Sequence, residues 1–248
     1  MAKPKQDEET VINLDSFAIP IAIIVVGVII AVLVTFTKKD TNQVDTTSPS
    51  KETVTSDTGT SEEFEKASTV LRESPYVGDK GKAKVAVVEF SDFQCGYCKR
   101  HAEQVYPELK TKYVDKGEII YVFKSFPLRE SGLSYNAALA AECVAKSVKG
   151  DEFGAFFEKM FDITSDAEIR SEAEKAGLKA SDYEACIASQ EIKDKLAANK
   201  EDGSNAGVQG TPGFVVGKIG DDGKIDGVLI RGAYPLADFE RAIAMYLE

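Results

Sequence analysis

The chain has 248 residues, 43% of them hydrophobic and 29% charged, which is room for one good-sized domain plus accessories or for two small ones. Its formal net charge of -11 excludes nucleic acid as a partner, because that binding needs a basic face, and the acidity is spread along the chain as a solvating surface. Four cysteines are too few for a disulfide-dense mini-protein, and a single histidine leaves zinc short of ligands, so no metal site is expected.

Residues 17–37 read as a transmembrane anchor, preceded by a tail over residues 1–16. No charged residue lies between Phe17 and Phe36, and Ile19 to Val34 is almost wholly Ile, Val, Ala and Leu. Those twenty residues, if helical, reach roughly 30 Å, the thickness of a bilayer's hydrocarbon core. Pro20 falls in the first turn, where it costs least. A buried core helix would show a polar side, which this run lacks. Val34-Thr35-Phe36-Thr37 offers no small-x-small site for signal-peptide cleavage, so the anchor is expected to be retained. Lys3 and Lys5 on one flank balance Lys38 and Lys39 on the other. The positive-inside rule is therefore a tie, and the placement of residues 1–16 in the cytoplasm rests on the chemistry of the attached domain.

Residues 38–61 read as a flexible linker. From Asp40 to Thr60 the chain is dominated by Thr, Ser, Asp and Lys and cannot bury enough surface to fold. Such a tether spans roughly 25 Å on average, enough for a tethered domain to sample the space near a membrane.

The folded domain is expected over residues 62–248. Ser61 followed by two acids predicts a helix from Glu62 to Arg72. Lys84 to Phe90 is an apolar run that reads as a buried strand. A helix then begins at Cys95 and runs to about Asp115, kinked at Pro107. Glu118 to Phe123 is a second strand, rich in Ile, Tyr, Val and Phe. Helices follow over Leu133–Val148, Glu152–Phe161 and Asp166–Ala176, after a cap at Ser181, and over Glu191–Asn205. Phe214 to Ile219 and Val228 to Gly232 then read as strands around the turn Asp221-Asp222-Gly223, and Leu236 to Leu247 closes with an amphipathic helix. Asp221 to Asp226 lacks the terminal glutamate of a calcium loop and reads as a turn.

Two motifs carry the chemistry. Cys95-Gly96-Tyr97-Cys98 stands at a strand-to-helix junction, where a Cys-x-x-Cys pair signals a thiol-disulfide redox centre. Thr211-Pro212 lies far downstream, between two glycines and a strand. A stable disulfide or half a zinc site is the bland alternative for the first motif, but zinc needs a second close pair, and Cys143 and Cys186 are isolated. Cys95 at the helix N-terminus would have its thiolate stabilised by unpaired N–H groups and the helix dipole. It is the expected attacking sulfur, and Cys98, one turn inside the helix, the expected resolving thiol.

The order of elements, the Cys95-x-x-Cys98 site and the distant Thr211-Pro212 together resemble DsbA-like thiol-disulfide oxidoreductases. The resemblance covers about Pro75 to Glu248. It implies an α/β thioredoxin-like fold with an inserted helical domain, about residues 127–200, here preceded by one N-terminal transmembrane helix. It also implies that Pro212 is cis and packs against the dithiol, while the backbone of Thr211 pairs with substrate. Gly213 departs from the family pattern and is expected to loosen that loop.

Glu89, six residues before Cys95 on an apolar strand, matches the buried acid of this family. Burial would raise its pKa and let it exchange a proton with Cys98; the alternative is a strand-end glutamate facing water. Lys124 is expected at a solvent-exposed strand end. His101 is read as a helix-surface residue, since the oxidising prototype of the family carries its histidine between the cysteines, where this chain has Gly96-Tyr97. Cys143 and Cys186 are expected to form a structural disulfide rather than two buried thiols, closing a loop worth on the order of 4 kcal/mol and implying an oxidising compartment.

The expected protein is a single-pass membrane enzyme with its catalytic domain outside the cytoplasm. It would introduce disulfides into reduced, unfolded secreted or surface polypeptides, with no cofactor beyond the Cys95–Cys98 disulfide. A membrane quinone-linked thiol oxidase, implied by the resemblance alone, would regenerate it. Gly96-Tyr97 between the cysteines also resembles the disulfide isomerases of the superfamily, which keeps an isomerase or reductase as the rival; a non-catalytic thioredoxin-fold binding module is the rival from another class.

Overall fold

The computed structural model describes residues 63–247. The tail, anchor and linker expected over residues 1–61 lie outside them. Among the described residues no helix is long and apolar enough to cross a membrane.

The expected first helix is instead a strand, β1 (Glu65–Val70). It pairs antiparallel with β6 (Lys224–Arg231), Glu65 opposite Leu229 and Val70 opposite Lys224. The capping signal at Ser61 is local, whereas β6 offers a row of backbone groups that only a strand can satisfy. Thr69 turns inward from β1 and is buried, which suits a β-branched residue.

The central strands follow the hydrophobic pattern closely. β3 (Val85–Ser91) and β4 (Ile119–Ser125) are parallel and buried along their whole length. β5 (Gly213–Ile219) lies antiparallel on the other side of β3, and the two-residue β2 (Tyr76–Val77) borders β4. The sheet order is β1-β6-β5-β3-β4-β2. A sheet covered on both faces needs strands that are apolar on both faces, which is why β3 and β4 read as continuous runs.

α1 (Gly96–Gln104) follows β3 and is shorter than the single helix expected to Asp115. It breaks at Val105; α2 (Tyr106–Leu109) carries Pro107 at its start, and Lys110–Val114 continues as a π-helical turn. Proline has no N–H to offer the preceding turn, so the helix restarts there.

The inserted helices are α3 (Leu133–Val144), α4 (Gly150–Lys159), α5 (Asp166–Lys175), α6 (Ala180–Ala188) and α7 (Gln190–Asn205). α3 buries Ala137, Ala138, Ala140 and Ala141, small residues that let neighbouring helices come close. Cys143 on α3 and Cys186 on α6 are bonded, with Cα atoms 6.0 Å apart. α8 (Leu236–Leu247) returns to the sheet and buries Phe239, Ala242 and Ile243.

Two charged positions differ from expectation. Lys124 is fully buried, because the pleat that turns Phe123 toward α4 turns Lys124 to the opposite face, under α7. There its Nζ donates to Asp202 Oδ2 at 2.8 Å and to Asn199 Oδ1 at 3.3 Å. Arg72 grips the same carboxylate with two hydrogen bonds of 2.7 Å. His101 is also fully buried, since Cys98, His101 and Ala102 share the stripe by which α1 packs on the sheet.

Candidate active site

The site is built where β3 ends and α1 begins. Asp92 organises the turn: its Oδ1 accepts from the N–H of Gln94 at 2.8 Å, and its carbonyl accepts from the N–H of Cys95 at 3.0 Å. Its Oδ2 accepts from the Leu128 N–H at 2.9 Å and from the Ser134 hydroxyl at 2.8 Å, tying the turn to the entrance of α3. This buried aspartate escaped the sequence reading. Its signal was an Asp three residues before a helix cap, where a short carboxylate turns the chain.

Cys95 caps α1 in an extended conformation, φ -89° and ψ 116°, and the first turn of the helix carries no acid to oppose a negative charge. It is partly exposed while Cys98 is fully buried, and both are free thiols. Donation from the Cys98 thiol is the largest influence on Cys95 and lowers its pKa to about 5; neighbouring Thr211 and the N–H groups of Cys98 and Tyr97 help, against partial burial. Burial drives the Cys98 thiol far upward, reinforced by its bond to Cys95 and by the Glu89 charge. The two sulfurs are thus strongly unlike: one a thiolate at neutral pH, the other a buried thiol.

The Cys95 thiol lies 3.2 Å from the carbonyl oxygen of Thr211. The Thr211–Pro212 peptide is cis, so the two motifs meet in space. The Pro212 carbonyl accepts from the Gly232 N–H at 2.8 Å, and β5 starts at once. Gly213 answers a packing need in this loop. A Cβ there would stand 2.7 Å from Val208 Cγ1, so Val208 fills the space that any larger residue would need.

Glu89 is 1% exposed, on the same face of β3 as Val85 and Val87. Its neighbours across the strands are Phe123 on β4 and Phe214 on β5. Burial raises its pKa to about 7, against a hydrogen bond donated by Tyr121 to Oε2 at 2.7 Å. Its other oxygen, Oε1, has no hydrogen-bond partner among the described residues. The Tyr121 hydroxyl also lies 2.9 Å from His101 Nε2. Neither Tyr121 nor His101 was found as a site residue from sequence, where both read as element residues without a role.

Two large apolar side chains are exposed on the segments that carry the dithiol and the Asp92 tie. Tyr97 is 62% exposed, with the Arg100 guanidinium 4.9 Å from its ring centre, and Leu128 is 55% exposed. Among the described residues no cluster of His, Cys, Asp and Glu could hold a metal ion.

A thioredoxin-like sheet with inserted helices and a Cys-x-x-Cys dithiol at a helix N-terminus defines a protein thiol-disulfide oxidoreductase of the DsbA-like kind. Residues 71–227 match a family described as thioredoxin, and the chain belongs to that family. It is 31% identical over 147 residues to the probable disulfide bond formation protein D of Bacillus cereus, covering 55% of this chain and 67% of that protein. Among solved structures it resembles alpha-DsbA1 of Wolbachia pipientis at 25% identity and a TM-score of 0.58, over 71% of this chain and 92% of that one. It resembles oxidised BdbD of Bacillus subtilis at 21% identity and a TM-score of 0.62, over 74% of this chain and 98% of that one, which speaks for the fold.

Proposed function

We propose that this enzyme donates disulfides to reduced polypeptides outside the cytoplasm, held at the membrane by residues 17–37. The observation that carries the direction is the unlike pair of sulfurs. A thiolate at Cys95 with a pKa near 5 stabilises the dithiol form at neutral pH, so the Cys95–Cys98 disulfide is the form that seeks electrons.

In the forward reaction a substrate thiolate attacks the Cys95 sulfur of the disulfide. The Cys95–Cys98 bond breaks, and Cys98 leaves as a thiolate that takes a proton from Glu89. A second substrate thiolate then attacks the substrate sulfur of the mixed disulfide and releases Cys95 as a stable thiolate. The substrate loses two electrons and the enzyme gains them. Thr211 holds the substrate backbone beside Cys95, and Pro212 fixes that loop. The apolar rim of Tyr97 and Leu128 suits unfolded chains with exposed hydrophobic side chains. A quinone-linked thiol oxidase of the membrane is the proposed acceptor of the electrons. The Cys143–Cys186 bond supports an oxidising compartment.

Thiol trapping of the full chain in its native membrane tests the direction. A Cys95–Cys98 pair found mostly oxidised at steady state supports the donor; a mostly reduced pair overturns it in favour of an isomerase or reductase.

A further inference from the structure

His101 is the only histidine in the chain, and it is buried with its ring 4.4 Å from Phe214 and 5.1 Å from Phe239, measured between ring centres. A polar ring in such a place is expensive unless its nitrogens are used. One is: Nε2 lies 2.9 Å from the Tyr121 hydroxyl, which itself lies 2.7 Å from Glu89 Oε2. The tyrosine has a single hydroxyl proton, and while Glu89 is ionised its carboxylate can only accept, so that proton points at Glu89. The tyrosine oxygen must then accept from His101, which places the imidazole proton on Nε2 and leaves Nδ1 bare. Among the described residues Nδ1 has no hydrogen-bond partner, and nor has Glu89 Oε1. With Glu89 ionised, the chain His101 Nε2–H to Tyr121 O–H to Glu89 Oε2 therefore runs one way.

We propose that His101 is a positioning residue for the buried acid: by donating to Tyr121 it holds the tyrosine proton on Glu89 Oε2, so that Oε1 alone exchanges a proton with Cys98. This rests on the reading of Glu89 as the proton partner of Cys98. A neutral imidazole is required, and burial supplies it by pushing the His101 pKa down to about 3. Among the described residues the polar groups around Glu89 are Tyr121 on β4, Ser91 on β3, Cys95 and Cys98 at α1, His101 on α1, and Tyr106 on α2; none of them is a cation that would hold the carboxylate ionised. When Cys98 resolves a mixed disulfide, Oε1 takes the Cys98 proton, the Cys98 thiolate bonds to the Cys95 sulfur, and the Cys95–substrate bond breaks to release the substrate thiolate. In the disulfide-donating direction the same proton returns from Oε1 to Cys98. Oε2, the Tyr121 hydroxyl that donates to it and the His101 ring behind that hydroxyl stay as they are throughout.

The single histidine makes the test direct, because ¹⁵N-histidine labelling of the full chain reports one ring. The expected spectrum shows a neutral imidazole protonated at Nε2 from pH 5 to 8; a ring protonated at Nδ1 overturns the proposal. The second readout is the pH step in the rate at which Cys98 releases glutathione from a mixed disulfide at Cys95. Tyr121→Phe, which keeps the ring, should move that step up by about one pH unit or more. His101→Leu should move it the same way, and His101→Gln, whose amide can donate in place of Nε2, should bring it back toward the original. A step that disappears in Glu89→Gln but ignores both His101 variants overturns the positioning role alone. A step that persists in Glu89→Gln overturns the reading of Glu89, and the inference with it.

Discussion

Cys95 Sγ stands 3.2 Å from the carbonyl oxygen of Thr211, although 116 residues separate the two in the chain. The contact joins the cap of α1 to the loop that feeds β5, the strand beside β3 in the sheet. Burial apart, the influences on the Cys95 sulfur come from its own helix turn or across this contact. The two sources can be separated by mutation.

Cys98→Ala removes the largest influence holding Cys95 low. A hydrogen bond to a charged acceptor is worth enough to raise the Cys95 pKa by about 1–2 units. Cys98→Ser, which keeps a donor, should raise it less. The rate of iodoacetamide alkylation against pH gives both midpoints, and equal midpoints for the two variants would contradict the assignment.

Glu89→Gln should stabilise the fold at high pH. The folded carboxyl has a pKa raised from 4.5 to about 7, so its contribution is fully present below pH 4.5 and is lost as the pH rises through 7. The expected gain of the variant is on the order of 3 kcal/mol at pH 8 and nearly nothing at pH 4. Urea unfolding of the protein with Cys95 and Cys98 as free thiols, at the two pH values, measures it; a gain independent of pH would place the effect elsewhere.

Lys124 and Asp202 form a buried ion pair at 2.8 Å whose two halves are not equivalent. Asp202→Asn leaves a fully buried ammonium with only amide groups within hydrogen-bond reach, and should cost about 3–5 kcal/mol. Lys124→Met leaves Asp202 still gripped by both Arg72 bonds, and should cost markedly less. Denaturant midpoints of the two variants rank the losses, and the reverse order would be inconsistent with Arg72 as the second partner.

The Cys143–Cys186 bond closes a loop between residues 43 apart, and Cys143→Ala with Cys186→Ala should cost on the order of 4 kcal/mol of stability by the loop-entropy account. The alkylation midpoint of Cys95 should stay where it is, since neither residue reaches the dithiol. A moved midpoint would mean that the inserted helices tune the site.

The sequence by itself determined the strands β3 to β6, most helices, the reactive pair and its partner loop, because these rest on hydrophobic periodicity and on motifs with local chemistry. Val85–Val88 is apolar on both faces, and only a strand covered on both sides has use for that. The family followed from Cys95-x-x-Cys98 and Thr211-Pro212 taken together. What failed was whatever a distant partner decides. Glu65–Val70 carries helix signals, yet the unpaired edge of β6 makes it a strand. Lys124 and His101 carry polar side chains that read as surface, yet Asp202 lies 78 residues from one and Tyr121 lies 20 from the other. A buried polar group is stable only where its partner is already waiting, and sequence spacing does not say which partner the fold will bring. For the same reason a lone acid at position 89 suggested a proton site, while the tyrosine and histidine that orient it came into view only in three dimensions.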